Sequence, residues 1–238
     1  MSRSTTATGA SVEPDVVSAR ADFAEGSHKG TDMVLRGLDV VIAASVIAVL
    51  LPVLALAGVA IRVTSGSPVL YRGSRVGRRG LVFTMLKFRT LRSGAELRLG
   101  PVYGEELTRR TEAEVTSLGR WLRASQLDEV PQLWNVLRGD MSLVGPRPLR
   151  PVFFEGISQD IPHYWQRLVV RPGLSGFAQT RMTREASWAE KLAHDLEYVA
   201  DRSVGLYVRV VLATGWRVVR QSATALRDLI RRRDAAEP

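Results

Sequence analysis

The sequence predicts an α+β fold, mostly helical, attached to a membrane through one segment, and three observations predict it. Val40 to Ile61 runs for 22 residues without a charge. Leu81 to Phe88 alternates with period two behind the turn signal Arg78-Arg79-Gly80. Downstream, Leu118-Trp121-Leu122, Val130-Leu133-Trp134-Leu137 and the stretch from Ser187 to Val199 repeat at helical spacing.

Composition narrows the chemistry before any motif is read. The chain has 238 residues, 45% of them hydrophobic, which suffices for one real core plus appendages. Thirty-three Lys and Arg against 24 Asp and Glu give a net charge of +9, so the favoured partners are anions: nucleic acid, an anionic membrane surface or phosphate-bearing substrates. No cysteine is present, which excludes disulfides, thiolate catalysis and Cys-based zinc sites. His28, His163 and His194 are scattered without metal-ligand spacing, so any metal would be held by oxygen.

Residues 1–32 are rich in Ser, Thr, Ala, Gly and mixed charge, and read as a disordered leader. The first apolar core begins only at Val40, later than a signal peptide places it. The segment 33–63 is membrane-associated. A bilayer core needs about 20 helical residues to cross, so a simple span fits by length. Pro52 falls near its middle, removes a backbone donor and predicts a kink or break. The arms on either side, about 18 Å and 14 Å long at 1.5 Å per residue, are each too short to cross alone. A re-entrant hairpin therefore fits as well, with Arg36 and Arg62 at one surface. In either topology the arginines that follow, from Arg62 to Arg79, place the downstream domain in the cytoplasm.

After the turn Ser65 to Pro68, two β-like runs, Val69 to Tyr71 and Leu81 to Phe88, predict a hairpin. Alternation puts Phe83, Met85, Lys87 and Arg89 on one face of its second strand. Arg92 to Arg110 is charged and weakly patterned, a loop or short helix. Thr116 is a plausible N-cap for a helix through Leu118 and Leu122. The next helix ends near Gly139, and Pro131 sets its register. Interior proline is costly, whereas with Asp128 as N-cap it falls in the first turn, where backbone donors have no partner to lose. Beyond the Gly145 to Pro148 loop, Arg171-Pro172-Gly173-Leu174-Ser175-Gly176 reads as a rigid turn. Ser187 caps a helix to Val199. Val204 to Arg233 mixes apolar residues, Trp216 and arginines in the pattern of a helix lying at a membrane interface, or packing on the protein's own core.

Asp128 and Glu129 are the candidate reactive pair. Taken alone they suit a cap and a first-turn acid favoured by the helix dipole. Taken with Lys87, Arg89, Arg123 and Arg147, which could converge on a phosphate, they suit a nucleophile and a metal ligand.

These motifs come in a specific order. Lys87-Phe88-Arg89 is followed by LRASQLDEVPQLWNVLRGDMSLVGPRP, then VRPGLSG from Val170 to Gly176, then SW..KL..DLEYV from Ser187 to Val199. Together, over roughly residues 35–225, they closely resemble the bacterial sugar transferases, the monotopic polyprenyl-phosphate phosphoglycosyl transferases. The resemblance implies transfer of a sugar 1-phosphate from a UDP-sugar to undecaprenyl phosphate with release of UMP, starting assembly of an exopolysaccharide, capsule, O-antigen or glycoprotein glycan. Carried over by motif position, Asp128 would form a covalent phosphosugar intermediate and Glu129 would bind Mg²⁺. Lys87, Arg89, Arg123, Arg147 and Arg171 would hold substrate phosphate or nucleotide. The resemblance also implies a re-entrant helix-break-helix at Pro52 that does not cross, on the inner membrane of a bacterium with its catalytic domain on the cytoplasmic face. The organisation it implies is a leader 1–32, a re-entrant helix 33–63, a catalytic domain 64–225 with amphipathic interfacial helices, and a basic tail 226–238.

Some positions depart from the family pattern. Leu51 stands where Ser usually precedes the proline, and Glu112 to Thr116 replaces a D-P-R-x-T run. Phe177-Ala178-Gln179 and Thr180-Arg181-Met182 stand for the usual WAQ and NGR, where the donor sugar or nucleotide could be read. Two other readings compete. A membrane-tethered nucleic-acid-binding protein would use Leu118 to Leu137 as a helix-turn-helix, but a recognition helix opening on Asp-Glu meets phosphates with the wrong sign. A noncatalytic scaffold would have lost the carboxylate pair or Arg147, and both are present. No nucleic-acid partner is expected, and a homo-oligomer is compatible with the sequence.

Overall fold

The computed structural model describes residues 28–99, 104–177 and 186–234. Most of the expected leader, the Ala178-Gln179 and Thr180 to Met182 positions, and the last four residues of the expected tail lie outside them.

Helix α1 spans Lys29–Ser65 and starts earlier than the boundary read from the sequence. It is about 55 Å long at 1.5 Å per residue. The helix runs through Pro52 without interruption. Proline removes only its own donor, and the bonds on either side keep the segment helical. Buried residues fall on both arms and not between them: Leu35, Asp39 and Ala43 on the first, Ala57 and Ile61 on the second. Between the arms Val49, Leu51, Val53 and Leu56 are exposed.

The two arms rest on the same body. The first packs with Met85, Leu133, Val136 and Met141, and the second with Phe88 and Leu122. Polar contacts fasten both ends. Asp32 accepts from Arg202 at 2.8 Å, and Arg36 donates to the carbonyls of Val136 and Leu137 at 2.6 and 2.8 Å. At the far end the Arg89 guanidinium donates to the carbonyls of Ser65, Gly66 and Ser67. Inside the first arm Oδ1 of Asp39 accepts from Leu143 N, Ser142 Oγ and Tyr207 Oη at 2.8, 3.0 and 2.7 Å. A buried carboxylate is tolerable when donors surround it in this way.

The expected hairpin is present and its first strand is longer than expected. Strands β1 (Leu70–Val76) and β2 (Val82–Phe88) pair antiparallel from Leu70 opposite Phe88 to Val76 opposite Val82. Two short helices follow, α2 (Ala95–Leu99) and α3 (Gly104–Ala113). Helix α4 (Ser117–Ala124) is capped as the sequence implies, Thr116 Oγ1 accepting from Gly119 N at 2.9 Å. Helix α5 (Gln132–Arg138) ends on Gly139 in the left-handed conformation at φ 91°, where glycine carries no Cβ penalty.

The Arg171 to Gly176 stretch is a strand and not only a turn. Strand β4 (Gly173–Ser175) pairs parallel with β3 (Ser142–Val144). Backbone meets backbone here. A Cβ on Gly173 would lie 2.1 Å from Gly145 N, and one on Gly145 2.4 Å from Arg171 O, so both motifs need glycine at the crossing.

Helix α6 (Pro151–Asp160) leads to a 3₁₀ segment, Tyr164–Val169. Helix α7 (Trp188–Asp201) opens with a full capping box between Ser187 and Glu190. Helix α8 (Val204–Asp234) buries Tyr207 and Val210 and exposes Leu212, Trp216 and Val219, so it both packs on the core and presents an apolar face outward.

Candidate active site

Asp128 and Glu129 sit in a one-turn 3₁₀ helix, Leu127–Glu129, entered through Gln126 at φ 57°. This corrects the capping assignment. Helix α5 starts after Pro131 and carries no side-chain cap, so Asp128 precedes the helix without closing it. Pro131 still sits where no helical donor is lost. The later start also rotates the helix. Leu133 and Val136 are buried, while Trp134, expected on the apolar stripe, is 54% exposed.

Three elements bring cations to this turn. Lys87, from β2, donates to Glu129 Oε1 at 2.5 Å. Arg147, from the Gly-Pro-Arg-Pro loop, places a guanidinium nitrogen 3.9 Å from the same oxygen. Arg123, from α4, donates to Thr90 Oγ1 at 2.9 Å and acts on Asp128 by charge. All of them, with Asp128 and Glu129, line one cavity of about 1440 Å³. Among the described residues its wall holds eleven lysines and arginines against three acids, so an anion is its natural occupant.

The two carboxylates are driven apart in acidity. Asp128 is 9% exposed, and burial first, then the charge of Glu129, pushes its pKa up to about 6 against the pull of Lys87 and Arg123. For Glu129 burial works upward too, but the charges of Lys87 and Arg147 and the Lys87 hydrogen bond outweigh it, leaving its pKa below the usual range. At neutral pH both are ionised, Asp128 as the costly, poorly paired anion and Glu129 as the well-paired one.

Of the two other expected cations, Arg89 lines the cavity with its guanidinium engaged elsewhere, and Arg171 lies outside it. Arg89 lies just past the end of β2, and its guanidinium is bound to the carbonyls that end α1. Arg171 donates to Gly139 O at 3.0 Å, behind α5, and does not line the cavity. Of the basic face expected along β2, Lys87 reaches Glu129 while the guanidinium of Arg89 is held by the chain that ends α1.

Other residues hold the site and were not singled out by sequence. Asn135 is fully buried; its Oδ1 accepts from Leu86 N at 3.0 Å and its Nδ2 donates to Thr84 O at 2.7 Å, locking α5 to the strand that carries Lys87. Arg167 and Asp195 form a buried ion pair at 2.7 Å. Arg167 also donates to Arg147 O at 3.0 Å, which fixes the loop from behind. The signal for this pair was the Asp195 of the DLEYV motif, to which no partner could be assigned by spacing. Among the described residues no group of three or more His, Asp or Glu converges as a ready metal cage.

The chain is similar to known proteins of one family. The family model described as bacterial sugar transferase matches residues 30–221. A UDP-glucose:undecaprenyl-phosphate glucose-1-phosphate transferase of Caulobacter vibrioides is 41% identical over 188 residues, 77% of this chain and 68% of that protein. A UDP-N-acetylgalactosamine-undecaprenyl-phosphate N-acetylgalactosaminephosphotransferase of Aeromonas hydrophila is 35% identical over 75% of this chain and 42% of its own length. An exopolysaccharide production protein of Rhizobium leguminosarum bv. phaseoli is 34% identical over 77% of this chain and 94% of its own length. The chain therefore spans about two thirds of the first relative and less than half of the second.

Proposed function

Because this chain belongs to the bacterial sugar transferase family, we propose that it transfers a sugar 1-phosphate from a UDP-sugar to undecaprenyl phosphate, releasing UMP, with Asp128 as nucleophile. The observation that carries this reading is the buried, ionisable Asp128 carboxylate in a cavity walled by cations, beside a Glu129 already claimed by Lys87 and Arg147.

In the first step a carboxylate oxygen of Asp128 attacks the sugar-bearing phosphorus. The bond from that phosphorus to the UMP oxygen breaks, and the electron pair leaves with UMP. In the second step an oxygen of the polyprenyl phosphate attacks the same phosphorus and the Asp128 carboxylate departs. No proton changes hands, so the site needs positioning and charge neutralisation and no histidine base. Lys87, Arg123 and Arg147 supply that neutralisation.

The residues fit a Mg²⁺ ion. This metal prefers oxygen and is commonly held through one or two carboxylates plus substrate phosphates. Lys87 and Arg147 both approach Oε1 of Glu129, which leaves Oε2 for the metal, with Asp128 next to it. Bound there, Mg²⁺ would offset pyrophosphate charge.

Membrane association follows from the exposed apolar middle of α1, and its two fastened ends support a re-entrant course. A helix that crossed would put its two ends on opposite sides of the membrane, whereas Arg36 and Arg89 tie both to one domain; because the helix continues through Pro52, this course calls for a bend there and not the expected break. The arginines flanking α1 favour the cytoplasmic face. Trp216 and Leu212 on α8 would then rest in the same interface. The relatives' names include both glucose and N-acetylgalactosamine, so both UDP-sugars belong in the donor panel.

Membrane fractions supplied with Mg²⁺, undecaprenyl phosphate and a panel of UDP-sugars should release UMP with one of them, and Asp128→Asn should abolish it. Undiminished release by that variant would sink the nucleophile assignment. A label at Thr31 reachable only from the periplasm would rule out the re-entrant course.

A further inference from the structure

The cavity holds a second cluster of cations, on β1, that the chemistry at Asp128 does not use. Tyr71, Gly73 and Arg75 alternate onto one face of the strand. A Cβ on Gly73 would meet the Tyr71 hydroxyl at 2.5 Å, so the tyrosine ring lies flat over the glycine and carries its hydroxyl along the strand to Arg75. From the opposite wall Arg150 donates to the same hydroxyl at 3.5 Å. A backbone bond from Val76 N to Leu149 O, 2.9 Å, pins the loop so that Arg147 and Arg150 sit beside the strand. Burial lowers the pKa of Arg75, Tyr71 works against this, and Arg150 and Arg147 lower it further, as expected of like charges held together. The acids of the cavity wall do not relieve this. Asp195 is taken by Arg167, and Asp128 and Glu129 belong to the reactive turn.

We propose that Tyr71, Arg75 and Arg150 form a second phosphate subsite, which holds in turn the departing phosphate of UMP and the entering phosphate of the polyprenyl carrier. The inference rests on the two-step reading above. In-line substitution places the leaving and attacking oxygens opposite the nucleophile. UMP leaves from the position opposite Asp128, and the carrier must attack from that same position. Both groups are phosphate monoesters there, each with more negative charge than the diphosphate ester of the donor. A fork of two guanidiniums around a hydroxyl matches a dianionic phosphate and binds it better than the monoanionic link in UDP-sugar. Arg147, which reaches Glu129 on one side and acts on Arg75 on the other, spans the two subsites.

Arg150 is exposed and its side chain caps nothing, so Arg150→Gln tests the subsite without threatening the fold. Initial rates of UMP release are measured in detergent or nanodiscs against varied polyprenyl phosphate, with added UMP as product inhibitor. Loss of one charge-assisted contact should raise the KM for the carrier and the Ki for UMP in parallel, each about tenfold. The KM for UDP-sugar and the unfolding temperature should move far less. Tyr71→Phe should shift both constants in the same direction by about threefold, since it removes a neutral partner. With an active wild type, a change in only one of the two constants, or in neither, overturns the shared subsite. Absence of UMP release from wild type with every donor overturns instead the reading on which it rests.

Discussion

Replacing Asp128 by Asn should make the protein more stable while it removes activity. The folded state raises this carboxyl from 3.8 to about 6, chiefly by burial. Below about pH 4 it is protonated in both folded and unfolded chains and contributes nothing. As pH climbs past about 6 the folded protein must carry a buried anion that the unfolded chain holds in water. The difference amounts to roughly 3 kcal/mol of lost stability at neutral pH. Asparagine cannot ionise, so the variant escapes this cost. For a domain of this size the gain is about 6–12 °C in unfolding temperature. The assay is thermal unfolding of wild type and variant in EDTA, in one detergent, at pH 8 and pH 5. At pH 5, where the folded-state carboxyl is mostly protonated and the unfolded one is not, the gain should shrink to about half. A variant no more stable than wild type at pH 8, or one with the same gain at both pH values, would refute the reasoning. Either would mean that Asp128 is better solvated or better paired than its surroundings imply.

Three further outcomes follow from the geometry. Lys87→Ala leaves Glu129 without its 2.5 Å partner; UMP release should drop by about 10- to 100-fold, the worth of a charge-assisted bond, and a Lys87→Arg variant should recover part of it. Asn135→Leu removes the bonds to Leu86 N and Thr84 O; chemical denaturation should show a loss of about 1–3 kcal/mol for each backbone group left unsatisfied. Gly173→Ala drives a methyl into Gly145 N at 2.1 Å; it should lower activity more than Gly156→Ala, where nothing lies within 4 Å, with UMP release and expression level as paired readouts.

Much of this architecture was legible where a local signal and the tertiary fold agree. The hairpin followed from alternation and an Arg-Arg-Gly turn, the caps at Thr116 and Ser187 from their hydroxyls, and the end of α5 from Gly139. The reactive turn was legible as a motif and misread as geometry. Asp-Glu-Val-Pro looks like a capped helix start, but the chain first takes a 3₁₀ turn, which moves Asp128 off the cap and swings Trp134 to the surface. The engagement of the Arg89 guanidinium with the end of α1 was not legible for a similar reason. Alternation assigns Arg89 to the face of Lys87 only while the strand lasts, and the strand stops at Phe88. The parallel pairing of β3 with β4 was out of reach, because two three-residue strands leave no period to read and their contact depends on paired glycines far apart in sequence. Asn135 and the Arg167 to Asp195 pair were hidden because a buried polar residue declares itself only through partners that the fold supplies.

The carboxylate of Asp39 has a consequence for how such an enzyme can be handled. Through Leu143, Ser142 and Tyr207 it ties the first arm of α1 to the strand leading into the Gly-Pro-Arg-Pro loop and to the last helix. The anchor is thus a rib of the catalytic body and not a tether. Deleting it to obtain a water-soluble enzyme would strip Leu35, Ala43, Ala57 and Ile61 from the core and leave those donors without this acceptor. Solubility has to come from a detergent belt or a lipid disc around the exposed middle of the helix, with the rib left in place.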